Sequence, residues 1–163
     1  MGLFGKWFGK GAQETPGGQP APVAKNLEPE PTPVPRFRAL LIDDDEQLLR
    51  LLTTTMERSL GPEIVTARDG AEAIARLEAE PFDLIISDFA LPRVSGWQLF
   101  FWIAKNRPEL VQRFLLISGA LGDDAEAQAI QSMGIKVLRK PFPLATFLEA
   151  CQEVLQGDVV SGR

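Results

Sequence analysis

The chain has 163 residues, enough for one ordinary domain with a segment left over. An apolar fraction of 45% and a charged fraction of 24% are those of a globular chain, and a formal charge of -5 argues against direct nucleic-acid binding. With no histidine, a Ser-His-Asp triad, a His-ligated zinc site and a phosphohistidine on this chain are excluded; one cysteine, Cys151, excludes an internal disulfide.

Residues 1–36 hold seven of the thirteen prolines and little apolar periodicity, so they read as an extended, disordered tail. At its start, MGLFGKWFGKG places Leu3, Phe4, Trp7 and Phe8 on one helical arc with Lys6 and Lys10 off it. Residues 1–11 then read either as a short interfacial anchor for a membrane or a partner, or as plain tail weakened by its four glycines. No apolar run approaches the roughly 18 residues of a membrane span and no secretory signal is present, so a cytoplasmic protein, at most peripheral at the membrane, is expected.

From Phe37 to residue 157 short apolar runs alternate with helical patterns. The runs are ALLI (39–42), EIVTA (63–67), DLIIS (83–87), RFLLIS (113–118) and KVLR (136–139), near-continuous as in strands buried on both faces of a parallel sheet. After the second run, Asp69-Gly70-Ala71-Glu72 forms a helix cap leading into Ala73, Ile74 and Leu77. The last helix opens at Pro143, with Leu144, Phe147, Leu148, Cys151, Val154 and Leu155 on one stripe, where Cys151 is a small apolar filler. Five strands alternating with five helices predict a doubly wound α/β domain, a five-stranded parallel sheet of order 2-1-3-4-5 and flavodoxin-like (βα)5 topology. Residues 158–163 are a C-terminal tail, and with only GDVVSGR after the last helix a stand-alone domain is expected.

The polar residues sit at strand ends. Asp43 and Asp44 end the first strand, Asp88 the third, Ser118 the fourth and Lys140 the fifth. In this architecture ligands bind beyond the carboxyl ends of the strands, so three carboxylates, a hydroxyl and an ammonium are expected to converge. Carboxylates about 4 Å apart repel by roughly 4 kcal/mol at an effective dielectric near 20, so such a group takes up protons or binds a cation. Oxygen donors without imidazole or thiolate suit Mg²⁺, which pairs with phosphate oxygens, and a carboxylate attacking phosphorus would give an aspartyl phosphate.

Four segments, LLIDDDE, DLIISDFALPRVSG, LLISGA and KVLRKPF, resemble the signature segments of response regulator receiver domains, over about residues 37–156. Pro92, Gly96 and the Lys140-Pro141 pair also fall at that family's spacing. The resemblance implies phosphorylation at Asp88, Mg²⁺ bound by Asp44, Asp88 and the Ala90 backbone carbonyl with Asp43 acting through water, and a switch role for Ser118 and Lys140. It implies a cis Lys140-Pro141 peptide, a histidine kinase or phosphotransfer protein as donor, and a downstream protein target. The chain would be no enzyme beyond catalysing its own phosphoryl uptake and hydrolysis. Within the acidic run, the pair Asp43-Asp44 keeps Leu51-Leu52 on the face where the family is apolar; Asp44-Asp45 would shift that helix by one.

Haloacid dehalogenase-like phosphatases also form an aspartyl phosphate, but Gln47 stands where their motif wants threonine or valine. Two features depart from the receiver pattern. Val137 occupies the place of an aromatic switch residue, which predicts a weaker or differently routed response to phosphorylation. In the third helix, GWQLFFWIAK, Leu99, Phe100 and Ile103 can face the sheet, whereas Trp97, Phe101 and Trp102 cannot all do so. These three are either covered by tail or core, or form an aromatic patch for a partner or a homodimer. A constitutive interaction scaffold on the same fold is the alternative that such a patch supports. Ala90 and Ala120 would flank the phosphoryl position without a side chain to orient water, which predicts slow self-hydrolysis.

Overall fold

The structure is a computed structural model that describes residues 37–119, 129–130 and 132–157. The proposed tails 1–36 and 158–163, Ala120 and most of the expected helix between the fourth and fifth strands lie outside these residues.

Strands β1 (Arg38–Ile42), β2 (Glu63–Ala67), β3 (Leu84–Asp88), β4 (Phe114–Ser118) and β5 (Lys136–Arg139) form one sheet in the order β2-β1-β3-β4-β5. Every pairing is parallel, as the unbroken apolar runs require. β3 and β4 are buried along their whole length, whereas the edge strands β2 and β5 each carry exposed residues.

Side chains of one strand point alternately to opposite faces, so the sheet builds two cores. On one face Ala39, Leu41, Ile86 and Leu115 meet helices α1 (Glu46–Ser59) and α4 (Leu144–Gln156) through Leu52, Met56 and Phe147. On the other, Leu40, Ile42, Ile85 and Leu116 meet α2 (Gly70–Ala79) and α3 (Gly96–Asn106) through Leu77, Leu99, Phe100 and Ile103. Each fully buried aliphatic side chain contributes about 1.5–3 kcal/mol. A 3₁₀ turn, Pro108–Arg113, links α3 to β4.

The helix starts follow the sequence closely. Asp69 Oδ1 accepts from Ala71 N–H at 2.8 Å and Glu72 N–H at 2.9 Å, capping α2. Ser95 and Gln98 form a reciprocal capping box on α3. In α4, Phe147, Cys151 and Val154 are buried, and burial pushes the Cys151 thiol up to about 12, which keeps it inert. Leu144, expected on the same stripe, is exposed where the helix begins.

One expectation is corrected in α1. Leu52 is buried, but Leu51 is 49% exposed. Adjacent helical residues lie about 100° apart, and Leu49, Leu52 and Met56 already fill the inward arc.

Candidate functional site

Four strands bring residues at or just past their ends to one edge of the sheet. Asp43, just beyond β1, is 2% exposed, and Asp88, the last residue of β3, is 6% exposed. Ser118 is buried at the end of β4. Lys140 follows β5, and its backbone N–H donates to the Ser118 carbonyl at 2.8 Å, which registers the two strand ends. The Lys140-Pro141 peptide is cis, as the resemblance implied.

The ammonium of Lys140 bridges the two buried acids. Its Nζ lies 2.7 Å from Asp88 Oδ1 and 3.3 Å from Asp43 Oδ2. The other oxygen of each acid accepts a backbone N–H at 2.8 Å, from Ala90 for Asp88 Oδ2 and from Asp45 for Asp43 Oδ1. Burial pushes the Asp43 carboxyl above the usual carboxylate range; the Asp45 N–H and Lys140 oppose this, and the neighbouring Asp88 charge adds to it. For Lys140 burial acts downward, but the hydrogen bond to Asp88 and the charges of Asp43 and Asp88 outweigh it and hold the ammonium above its ordinary value. The two rise for different reasons: Asp43 because it is buried, Lys140 because two carboxylates stand against it.

The acidic run is sorted by geometry. Asp43 faces Lys140, Asp44 is exposed beside the buried pair, and Asp45 caps α1, its Oδ1 accepting from Gln47 N–H at 2.8 Å and Leu48 N–H at 3.2 Å. The structure therefore brings two of the three expected acids onto one ammonium. Among the described residues no three acidic or sulfur side chains stand already gathered around an ion position. The residues present nevertheless fit a hard cation. Two buried carboxylates against one ammonium leave a net negative charge in a partly desolvated niche, and the carboxylates offer oxygen donors alone.

Of the residues singled out on α3, only Phe101 stands well exposed, at 47%. Trp97 is half-buried, stacked on Phe100 with centroids 5.8 Å apart and edge-on to Phe101 at 4.5 Å. Trp102 and Val137 are half-buried against the same core. The core thus covers much of the anticipated aromatic patch. Sequence reasoning passed over one contact: Arg93, in the loop after β3, is ion-paired with buried Asp69. A charged pair made between two loops leaves no periodic or spacing signal.

The model of the response regulator receiver domain family matches residues 39–152. The chain belongs to this family. Transcriptional regulatory protein GlrR of Escherichia coli is 36% identical over 118 residues, covering 72% of this chain and 26% of that protein, so the chain spans about a quarter of that relative. Response regulator receiver protein CpdR of Brucella abortus is 31% identical over 122 residues, covering 72% of this chain and 96% of that protein. A crystal structure of a CheY-like receiver domain protein from Methanospirillum hungatei superposes with a TM-score of 0.68 at 26% identity, over 77% of this chain and 98% of the other. The molecule is accordingly a receiver domain of two-component response regulators. Among the described residues of this receiver, no helix is long and apolar enough to cross a membrane.

Proposed function

We propose that this receiver accepts a phosphoryl group on Asp88 and passes the signal on through protein contacts. The observation that carries the reading is the placement of Asp88: nearly buried at a strand end, held by Lys140 at 2.7 Å, with a second buried acid on the same ammonium. The Ala90 N–H holds one oxygen of the carboxylate and Lys140 the other. A carboxylate oxygen of Asp88 attacks phosphorus, the P–N bond of a phosphohistidine donor breaks, and the imidazole leaves with the electron pair. Asp44, Asp88 and the Ala90 carbonyl, with Asp43 acting through water, would hold Mg²⁺, which would supply charge neutralisation on the phosphoryl oxygens. Lys140 then pairs with the new anion, and Ser118 hydrogen-bonds it. Water later cleaves the acyl phosphate, returning the Asp88 carboxylate and inorganic phosphate.

The donor is a histidine kinase or phosphotransfer protein, and the output is a protein target. Acetyl phosphate with Mg²⁺ should add the mass of one phosphoryl group to wild type and none to Asp88→Ala, read by intact mass spectrometry. An unmodified wild type would instead favour the scaffold reading, for which the exposed Phe101 speaks.

A second expected result concerns lifetime. Ala90 is exposed beside the site and has no group with which to orient a hydrolytic water. The phosphoryl mass should therefore decay over minutes or longer in the purified protein, and decay within seconds would contradict this.

A further inference from the structure

The segment between Asp88 and Gly96 carries the Ala90 peptide that holds Asp88, and its ends are fixed by the sheet and by α3. Phe89 N–H donates to the Ile117 carbonyl at 2.7 Å, and Gly96 N–H to the Phe89 carbonyl at 3.0 Å. Its middle is unusual. Arg93 has φ of 64°, in the left-handed region that disfavours any residue with a Cβ, and Val94 N–H closes back on the Pro92 carbonyl at 2.7 Å. Such a conformation persists only where the surroundings over-determine it.

Those surroundings are the start of α2. Asp69 is buried, and its Oδ1 alone does the capping, accepting both N–H groups of the first turn. Its Oδ2 is not needed for the cap and is met by Nη2 of Arg93, whose side chain is 73% exposed and reaches over from the neighbouring loop. One residue further along, Gly70 N–H donates to the Val94 carbonyl at 3.3 Å. A Cβ on Gly70 would stand 2.5 Å from that oxygen and 2.6 Å from Val94 Cγ1, so the loops touch with no room for a side chain. The two loops are joined at consecutive pairs, 69 with 93 and 70 with 94, three residues from Ala90.

We propose that Asp69 and Arg93 are positioning residues, a latch between the two loops that sets where the Ala90 peptide lies and so tunes Mg²⁺ binding and phosphoryl uptake at Asp88. The proposal rests on the phosphoacceptor reading of that site. Capping alone does not account for the pair, since an uncharged side chain caps a helix as well as aspartate does. Solvation alone does not account for Arg93, since a free guanidinium gives no reason to hold φ at 64°.

Three variants of the full chain separate these roles. Asp69→Asn keeps the cap and removes the charge. Arg93→Gly suits the backbone and removes the guanidinium, and Arg93→Lys keeps a cation. Mg²⁺ affinity is read by calorimetric titration with magnesium chloride, uptake by intact mass with acetyl phosphate, and fold by thermal melting. Asp69→Asn and Arg93→Gly should each weaken Mg²⁺ binding about tenfold, as loss of an outer support to a metal ligand does. Arg93→Lys should stay closer to wild type, and Arg93→Gly should melt at or above the wild-type temperature, because glycine relieves the backbone. Mg²⁺ affinities equal to wild type in Asp69→Asn and Arg93→Gly overturn the latch, as does a loss in Arg93→Gly that merely follows a lowered melting temperature. A wild type that binds Mg²⁺ yet gains no phosphoryl mass overturns the phosphoacceptor reading instead, so the two failures are distinguishable.

Discussion

Gly96→Ala should cost about 3 kcal/mol of folding stability, the upper part of the range for forcing a group into filled space. Of the described glycines, Gly96 makes the closest approach: a Cβ there would lie 2.1 Å from the Asp88 backbone oxygen and 3.0 Å from Ser87 Oγ. Neither neighbour can retreat cheaply. The Asp88 carbonyl accepts from the Ser87 hydroxyl at 2.9 Å, and Asp88 is registered against Ile117 on β4. On the other side, α3 is anchored by buried Leu99, Phe100 and Ile103. Relief therefore comes by moving the helix out of its core or the aspartate out of its site, and phosphoryl uptake should fall with stability. Urea denaturation of wild type and variant measures the change. Gly157→Ala is the control, with open space around it and φ of -58°, and should stay within about 0.5 kcal/mol of wild type. Equal midpoints for Gly96→Ala and wild type would refute the prediction.

The strands were legible in the sequence because a parallel sheet buried on both faces imposes near-continuous apolar runs; observed and expected limits differ by at most one residue. The site was legible for a related reason. A strand end is marked where an apolar run stops, so Asp88, Ser118 and Lys140 announce themselves by following such runs. The errors occur where periodicity is the only guide. Leu51 and Leu52 look alike in sequence, yet a helix can turn only one of them inward beside Leu49 and Met56. On α3, nothing in a list of aromatics says how much of each ring its neighbours cover, and Trp97 finds shelter on Phe100 that Phe101 lacks. The Asp69–Arg93 pair was invisible because it is made between loops, where charge and hydrophobic patterns carry no period. Placement of the two buried acids on one ammonium likewise needed the fold, since 52 residues separate Asp88 from Lys140 and 97 separate Asp43 from it.

Lys140→Met should bind Mg²⁺ more tightly than wild type, by roughly tenfold, while the metal-free protein loses stability. The ammonium and the metal offset the same carboxylates. A cation at about 4 Å from a like charge is repelled by roughly 4 kcal/mol at an effective dielectric near 20, and the partial exposure of Lys140 reduces that by solvent and salt screening. Methionine keeps the length and apolar stem of the side chain, so packing changes little while the charge is lost. Asp43 and Asp88 then stay buried with their backbone donors but without the ammonium, which destabilises the fold until an ion arrives. Magnesium chloride should accordingly raise the melting temperature of the variant more than that of wild type, by mass action on the folded state. Uptake from acetyl phosphate should nevertheless slow, because the incoming phosphoryl group loses the cation that pairs with it. The combination separates two roles for one lysine: stand-in counter-ion before the reaction and partner of the phosphoryl group after it. Calorimetric titration and melts with and without the metal measure both, and a weaker Mg²⁺ affinity in Lys140→Met would show that the ammonium does not compete for the acids at all.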